Sequence, residues 1–404
     1  MRHADARRLY FALELLTAMP GWVVVDLYLV RTLDFSPLQL VLVGSATEAA
    51  IVLGEIPTGV VADTYSRRLS VIIGLVGMGA TVIVIGLTST PWLVIALWGL
   101  WGLASTFQSG AYEAWIADEL GGENVGSVFL RGARRRYAGS LIGLCACVAL
   151  GLVSLRATVV AGGVLTLACG VACIFLMPET GFRRRARSER GLWKTAAIGV
   201  RFVKSNTVVL LLVATALVAG AGAVALDRLP EAHVLRDVGV PSSIDPVVAF
   251  GAVAGVTMLF AFFAVRPVIG WVDRGGVSVV ARLLVFFTIA TVIAQVAFAL
   301  GIGFAFVMGA WLAALVTRSL VRPLYTTWLN RQITDSSVRA TVLSISGQAT
   351  GIGQAAGGPA IGVVGNAFGI PAALVAGALT GLPAVGLYAR ALRHGGVEPE
   401  LVPA

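Results

Sequence analysis

Apolar runs of about twenty residues, the length that a helix needs to cross a hydrocarbon layer of roughly 30 Å, recur along the whole of this 404-residue chain. Hydrophobic residues make up 57% of the sequence and charged residues only 13%. A soluble domain carries roughly 25% charged residues, so this chain has too little charge to cover a water-facing surface. We therefore expect an all-α integral membrane protein whose solvent is the lipid bilayer.

Twelve such runs predict twelve transmembrane helices, and the short links between most of them make consecutive helices antiparallel. The predicted spans are residues 10–31, 38–62, 69–89, 91–117, 130–154, 157–177, 206–228, 245–266, 279–300, 303–328, 337–363 and 369–391. A long basic segment follows the sixth span. It divides the chain into an N-terminal six-helix bundle in 1–178, a basic cytoplasmic linker in 179–205, a C-terminal six-helix bundle in 206–392 and a cytoplasmic tail in 393–404.

The net charge of +9 lies mostly in alternate links. Arginine and lysine concentrate at the N-terminus, after the even-numbered spans and in the linker, and this distribution matches the positive-inside rule. We therefore predict a multi-pass protein of the cell inner (plasma) membrane with both termini in the cytoplasm. The positive charge needs no nucleic-acid partner to explain it.

A short pattern recurs at equivalent turns of the two halves. Gly59–Arg68 holds a glycine, an acid and a basic pair at the end of the second span, and Gly270–Arg274 holds a weaker copy at the end of the eighth. Repeated halves with a binding site between them are typical of secondary transporters. The pattern therefore favours two pseudo-symmetric bundles that transport a solute.

The stretch Glu55–Arg68 resembles the signature loop of the major facilitator superfamily. Within that superfamily the chain looks most like twelve-helix bacterial drug exporters of the macrolide and tetracycline kind, on Ser109–Asp118 and Arg339–Ile345. The resemblance implies alternating access and efflux of drugs, as in antibiotic resistance. The sequence departs from the signature loop at two positions: Thr64 stands where the family usually has a basic residue, and Ser66 stands where it usually has a glycine. The fourth span also lacks the arginine that antiporters often use, and the fifth span lacks the glycine-proline motif of exporters.

The signature loop predicts a cytoplasmic latch. Asp63, Arg67 and Arg68 can bond to a neighbouring helix, and breaking those bonds would let the two halves move. The alternative is that the arginines only set the topology. The predicted latch residues are Glu55, Gly59, Asp63, Arg67, Arg68, Glu113, Asp118, Asp273 and Arg274. We expect Glu113 and Asp118 to pair with the basic cluster at residues 131–136, and Glu14 to reach the membrane interface.

Charges inside the spans mark function by default, because each costs at least roughly 2.5 kcal/mol there. Asp26 lies in the first span and Glu48 near the middle of the second. Apolar surroundings favour the protonated form of a carboxyl group, so both are candidates for proton coupling or substrate contact. The alternative is a static hydrogen bond to a neighbouring helix.

Basic residues inside the second half are the other intramembrane signal. Arg318 and Arg322 are four apart in the tenth span and share a helix face. They can contact an anionic or aromatic part of a substrate, or pair with acids of the other half such as Glu48. Asp227 and Arg228 end the seventh span and are predicted to form an extracellular gate.

These features favour a proton-coupled antiporter for amphipathic drugs or metabolites. The alternative is a carrier for a specific anionic metabolite or lipid, working as an exporter or an importer. A membrane sensor is a more remote alternative. No nucleophile–base pair, phosphate loop or cofactor motif stands out, so we expect no enzyme activity and no cofactor. The four cysteines lie in apolar runs without nearby histidines, so we expect no metal site. The expected partners are a small molecule, protons and the bilayer, and the expected state is a monomer.

The role of Glu48 is testable. The substitution Glu48→Gln should abolish uphill transport and leave downhill exchange, because an amide cannot carry a proton. Transport into vesicles with and without a proton gradient measures both rates. Unchanged uphill pumping would remove Glu48 from the proton path.

Overall fold

A computed structural model describes residues 2–20, 23–121, 125–182, 189–333 and 335–395, and these residues form helices without any β-strand. The chain separates into two compact units, residues 1–188 with 242–252 and residues 189–241 with 253–404. The predicted all-α membrane fold is confirmed.

The first unit contains seven complete helices. They are α1 (Arg2–Leu16), α2 (Val23–Arg31), α3 (Pro37–Thr64), α4 (Arg67–Leu87), α5 (Pro91–Glu119), α6 (Val125–Gly151) and α7 (Leu155–Leu176). Polar side chains just before several of these helices set where they begin. Ser36 and Gln39 form a capping box at α3, with Ser36 Oγ 3.3 Å from the Gln39 amide and Gln39 Oε1 2.9 Å from the Ser36 amide. Ser66 caps α4 in the same way, accepting from the Leu69 amide at 2.9 Å.

The second unit begins with a helix inside the segment that the sequence suggested as a linker. Its helices are α8 (Glu189–Ser205), α9 (Thr207–Arg228), α10 (Pro230–His233) with a π-helical turn (Val234–Val238), α11 (Pro246–Arg274), α12 (Val277–Leu300), α13 (Phe304–Gln332), α14 (Ser336–Phe368), α15 (Ile370–Leu379) and α16 (Gly381–Gly395). The first turns of α11 belong to the first unit.

Seven stretches in the described part of the chain are long and apolar enough to cross a membrane. They are α3, α4, α7, α9, α12, α13 and the stretch Ile370–His394 that joins α15 to α16. The other predicted spans coincide with α1 and α2 together, α5, α6, α11 and α14. Each predicted span therefore corresponds to one helix or to a pair of helices in series.

Two predicted spans are interrupted in the structure, and each interruption lies next to a proline, although α3, α11, α13 and α14 continue through an internal proline. The span predicted at 10–31 is α1 and α2, separated around Pro20, and the span predicted at 369–391 is α15 and α16, separated at Thr380. Proline lacks an amide donor and its ring clashes with the carbonyl four residues earlier. For Pro383 that carbonyl belongs to Leu379, the last residue of α15. The sequence analysis missed these breaks because the apolar composition continues through them.

Helix α6 lies against the backbone of α1 and of the break that follows it, and two glycines permit this approach. A β-carbon on Gly139 would overlap the carbonyl of Leu15, and one on Gly143 would overlap the carbonyl of Met19. Both glycines are buried. The contact between α1 and α6 therefore depends on residues without side chains, as in other close helix pairs in membranes.

Replacing Gly143 by valine should destabilise the first unit. The side chain would overlap backbone atoms that cannot rotate away, and overpacking of this kind costs about 1–3 kcal/mol. Thermal unfolding of the purified protein in detergent measures the loss. The matched control is Gly126→Val on the same helix, where an added β-carbon meets nothing within 4 Å; equal loss in both variants would contradict the packing argument.

Candidate functional site

Arg67 is the centre of a polar network in the first unit. It is the first residue of α4, and only 7% of it is exposed. Its Nη1 donates to the Ala114 carbonyl at 2.7 Å and also bonds the carboxylate of Asp118, both on α5. Its Nη2 lies 3.8 Å from Asp63 Oδ1 at the end of α3. The structure thus brings together Asp63, Arg67 and Asp118, three of the predicted latch residues, while their role as a two-state latch stays a prediction.

A second acid, Glu179, holds the turn between α3 and α4 from the other side. Ser66 Oγ donates to Glu179 Oε2 at 2.7 Å, and the amide of Arg68 donates to Glu179 Oε1 at 3.0 Å. The Arg68 guanidinium donates to the Ile174 carbonyl near the end of α7 at 2.5 Å. The two arginines of the motif therefore reach different neighbours: Arg67 contacts α5 and Arg68 contacts α7.

Glu119, at the end of α5, extends this network to the segment after α7. Its carboxylate is buried and accepts from the amides of Thr180 and Gly181 at 2.6 and 2.7 Å and from the Thr180 hydroxyl at 2.8 Å. Trp115, one turn earlier, donates from its indole nitrogen to the Pro178 carbonyl at 2.6 Å. Bonds from three donors to one buried carboxylate fix the start of the connection between the two units.

The remaining predicted latch residues are more exposed. The side chains of Glu55 and Glu113 are exposed, and a β-carbon on Gly59 would meet nothing within 4 Å. In the second-half copy of the motif, Arg274 is exposed and donates to the Gly270 carbonyl of its own helix at 2.7 Å. The side chain of Asp273 lies outside the described residues.

A bidentate ion pair joins α1 to α6. Arg136 donates from Nε and Nη2 to the two carboxylate oxygens of Glu14, at 2.8 and 3.0 Å. The Glu14 side chain is 2% exposed and that of Arg136 is 61% exposed. We had expected Arg136 to pair with Glu113 or Asp118 and Glu14 to reach the membrane interface; instead, Glu14 is buried. The tight approach of α6 to α1 brings the two groups together.

The second unit holds an ion pair between α9 and α13. Arg318 Nη2 lies 2.7 Å from Asp227 Oδ1, and their side chains are 34% and 38% exposed. Arg318 is near the middle of the 29-residue helix α13, whereas Asp227 is the last residue but one of α9, so the pair joins the middle of one helix to the end of another. Arg322, one turn further along α13, is exposed. Arg228 is half-buried at the end of α9, and the predicted gate function of Asp227 and Arg228 stays a prediction.

The two acids suggested for proton coupling occupy different environments. Asp26 is 9% exposed and lies in the first turn of α2. The break after α1 therefore places this carboxylate at a helix N-terminus, where the helix dipole favours negative charge. Glu48 is half-buried near the middle of α3. Their proposed coupling roles stay predictions.

Comparison with known proteins places these features in a family context. A model of the Major Facilitator Superfamily matches residues 9–330. The uncharacterized MFS-type transporter YxaM of Bacillus subtilis (strain 168) is 26% identical over 124 residues, which is 31% of this chain. The aligned part spans only 30% of that relative's length.

Solved transporters of low sequence identity share the fold. A point variant of the nucleoside transporter NupG matches with a TM-score of 0.81 at 14% identity, over 97% of this chain and 100% of that one. A bacterial homolog of the human lysosomal transporter Spinster gives 0.75 at 15% identity, over 97% of each chain. A POT family transporter in complex with 5-aminolevulinic acid gives 0.70 at 12%, over 98% and 96%.

Removing the Glu119 carboxylate should release the segment after α7. The substitution Glu119→Ala deprives the amides of Thr180 and Gly181 of their acceptor, and hydrogen exchange of a peptide covering residues 178–182 should accelerate by about tenfold or more. The control is Glu113→Ala, which removes an exposed acid from the same helix. Equal exchange in the two variants would contradict the anchoring role of Glu119.

Proposed function

The chain belongs to the Major Facilitator Superfamily and is a secondary transporter, and from this premise we propose that it carries a small anionic metabolite. The observation that supports this proposal is the arrangement of Arg318 and Arg322 one turn apart within α13. Two guanidinium groups cannot face hydrocarbon without a large cost in free energy. The face of α13 that carries them must therefore contact protein, water or an anionic solute.

The ion pair with Asp227 uses only part of the hydrogen-bonding capacity of Arg318. A guanidinium has five N–H donors, and the ion pair with Asp227 engages it through Nη2. Within the described residues, Arg322 has no ion-pair partner and is exposed. A carboxylate or phosphate group on a solute would supply the acceptors that these donors need, and arginine binds such groups in a planar, bidentate geometry.

The Arg318–Asp227 pair also suggests how an anion and a proton could be coupled. An anionic solute that binds Arg318 competes with Asp227 for the same guanidinium. The displaced carboxylate would lose its cation, and uptake of a proton together with the anion would compensate its charge. We therefore add Asp227 to Asp26 and Glu48 as a candidate for carrying the coupled proton, which would make the transporter a proton–anion symporter.

The structural neighbours support a small polar cargo. One is named a nucleoside transporter, and another holds 5-aminolevulinic acid, a small molecule with a carboxylate. The identities are low, so this support concerns the kind of solute that the fold accommodates and not a particular compound.

Proton-coupled efflux of amphipathic drugs is the second candidate. It is supported by the apolar character of the spans, which offers few polar partners to a sugar-like cargo, and by the resemblance of Ser109–Asp118 to drug exporters. The two candidates differ in what they require of α13. An anion carrier needs both guanidinium groups, whereas a site for lipophilic compounds does not depend on Arg322.

Transport assays on proteoliposomes separate the candidates. We expect a panel of small carboxylates and phosphate esters to give uptake driven by an inward proton gradient, and the lipophilic drugs of the same panel to give no proton movement. Arg322→Gln should raise the KM for the transported anion at least tenfold, because it removes a charge-assisted contact worth about 1.5–3 kcal/mol.

The matched control is Arg282→Gln. Arg282 is also exposed, on α12, and donates to the Ser278 carbonyl of its own helix, so its loss should leave the KM within about twofold. Drug-triggered proton movement that is unaffected by Arg322→Gln would contradict the anion proposal and favour drug efflux.

A further inference from the structure

Helix α8 is amphipathic and ends where a transmembrane helix begins. It covers Glu189–Ser205, and a single residue, Asn206, separates it from α9. The Asn206 side chain accepts from the amides of Val208 and Val209 at 3.1 Å each and so caps α9. Because α9 is apolar enough to cross the bilayer, we place the last turn of α8 near the boundary between hydrocarbon and headgroups.

One side of α8 packs against its own unit. Gly199 is buried against Thr341 and Ile345 of α14, and a β-carbon at this position would overlap the Thr341 side chain. Val203, one turn later, is 5% exposed and joins a core cluster with Val209 and other residues of the second unit. These contacts fix the helix against the unit and decide which side faces outward.

The outward side combines basic and apolar residues. Arg201 and Lys204 are exposed, and neither has an ion-pair partner in the described part of the chain. Ile198 and Val200, which are also on this side, are 47% and 42% exposed. Lysine occurs only at positions 194 and 204 in the whole sequence, and both positions belong to α8.

We propose that this side of α8 binds the headgroups of anionic phospholipids. A surface with exposed aliphatic side chains beside basic ones suits the boundary of a membrane, where the aliphatic groups enter the acyl region and the basic groups contact phosphates. The predicted orientation places α8 on the cytoplasmic side, whose leaflet carries negative charge. The inference concerns a surface remote from Arg318 and Arg322 in sequence and does not rest on the proposed cargo.

A labelled full-length protein tests this proposal. Cys145 is the exposed one of the four free cysteines, so Cys145→Ser allows a fluorophore to be attached selectively at Ser205→Cys. The protein in a neutral detergent is titrated with short-chain phosphatidylglycerol, and we expect a saturable change in emission. Short-chain phosphatidylcholine and inorganic phosphate should give no such change at the same concentrations.

Two variants locate the binding surface. Neutralising Arg201 and Lys204 together to glutamine should raise the half-saturating concentration of phosphatidylglycerol about thirtyfold, since each basic residue near an anionic surface contributes roughly fivefold. Neutralising Arg282 and Arg393 together removes the same charge from α12 and α16. This control should change the half-saturating concentration of phosphatidylglycerol less than about threefold. Circular dichroism and size-exclusion profiles establish that the variants are folded.

Three results would overturn the proposal. An equal response to phosphatidylcholine would mean that the headgroup charge is not recognised, and an equal response to inorganic phosphate would indicate a free-anion site. Equal weakening by the two double variants would mean that net charge, and not this surface, attracts the lipid. A failure of the anion-transport assay would leave this result unaffected.

Discussion

The free-energy cost of an unpaired charge in hydrocarbon governs where the ionic groups of this protein lie. That cost is at least roughly 2.5 kcal/mol for each group at the centre of a helix, and two acids of the predicted spans have a cation within reach. Glu14 meets Arg136, and Asp227 meets Arg318, each across two helices of the same unit. Each pair requires its two helices to keep one register, so the pairs also constrain the packing around them.

The three ionic groupings differ in how firmly they are enclosed. Arg67 is buried and has acceptors from α3 and α5 around it, so its network holds the start of α4 against these two helices. In the Glu14–Arg136 pair only the acid is buried, whereas both members of the Arg318–Asp227 pair are about one-third exposed. A partly exposed pair can exchange a partner with a solute at a smaller cost in desolvation than a buried one. For this reason the proposed contact with the cargo is assigned to the pair between α9 and α13 and not to the better enclosed ones.

Local signals made part of this arrangement predictable. The motif Gly59–Arg68 identified Asp63 and Arg67 as members of one cluster, because a helix end and a tight turn keep them close in the chain. Glu14 with Arg136 and Glu119 with Thr180 were missed, since these partners are 122 and 61 residues apart. No periodicity or spacing connects residues at such distances. Glu14 was noticed as a charge near the end of an apolar run and Glu119 could have been, but the partner of neither acid could be identified.

Composition and the apolar runs were enough to predict a membrane protein with twelve spans, and the arginines and lysines were enough to identify the basic links. These properties follow from composition and from runs of consecutive residues, because the length of an apolar run is set by bilayer thickness. The packing of the helices decided that α6 lies against α1 through Gly139 and Gly143. It also decided that Asp227, at the end of α9, reaches Arg318 in the middle of α13. Those outcomes depend on which helix faces lie against each other, and helix packing in a membrane is set by shape and by a few polar contacts between residues that are distant in the chain.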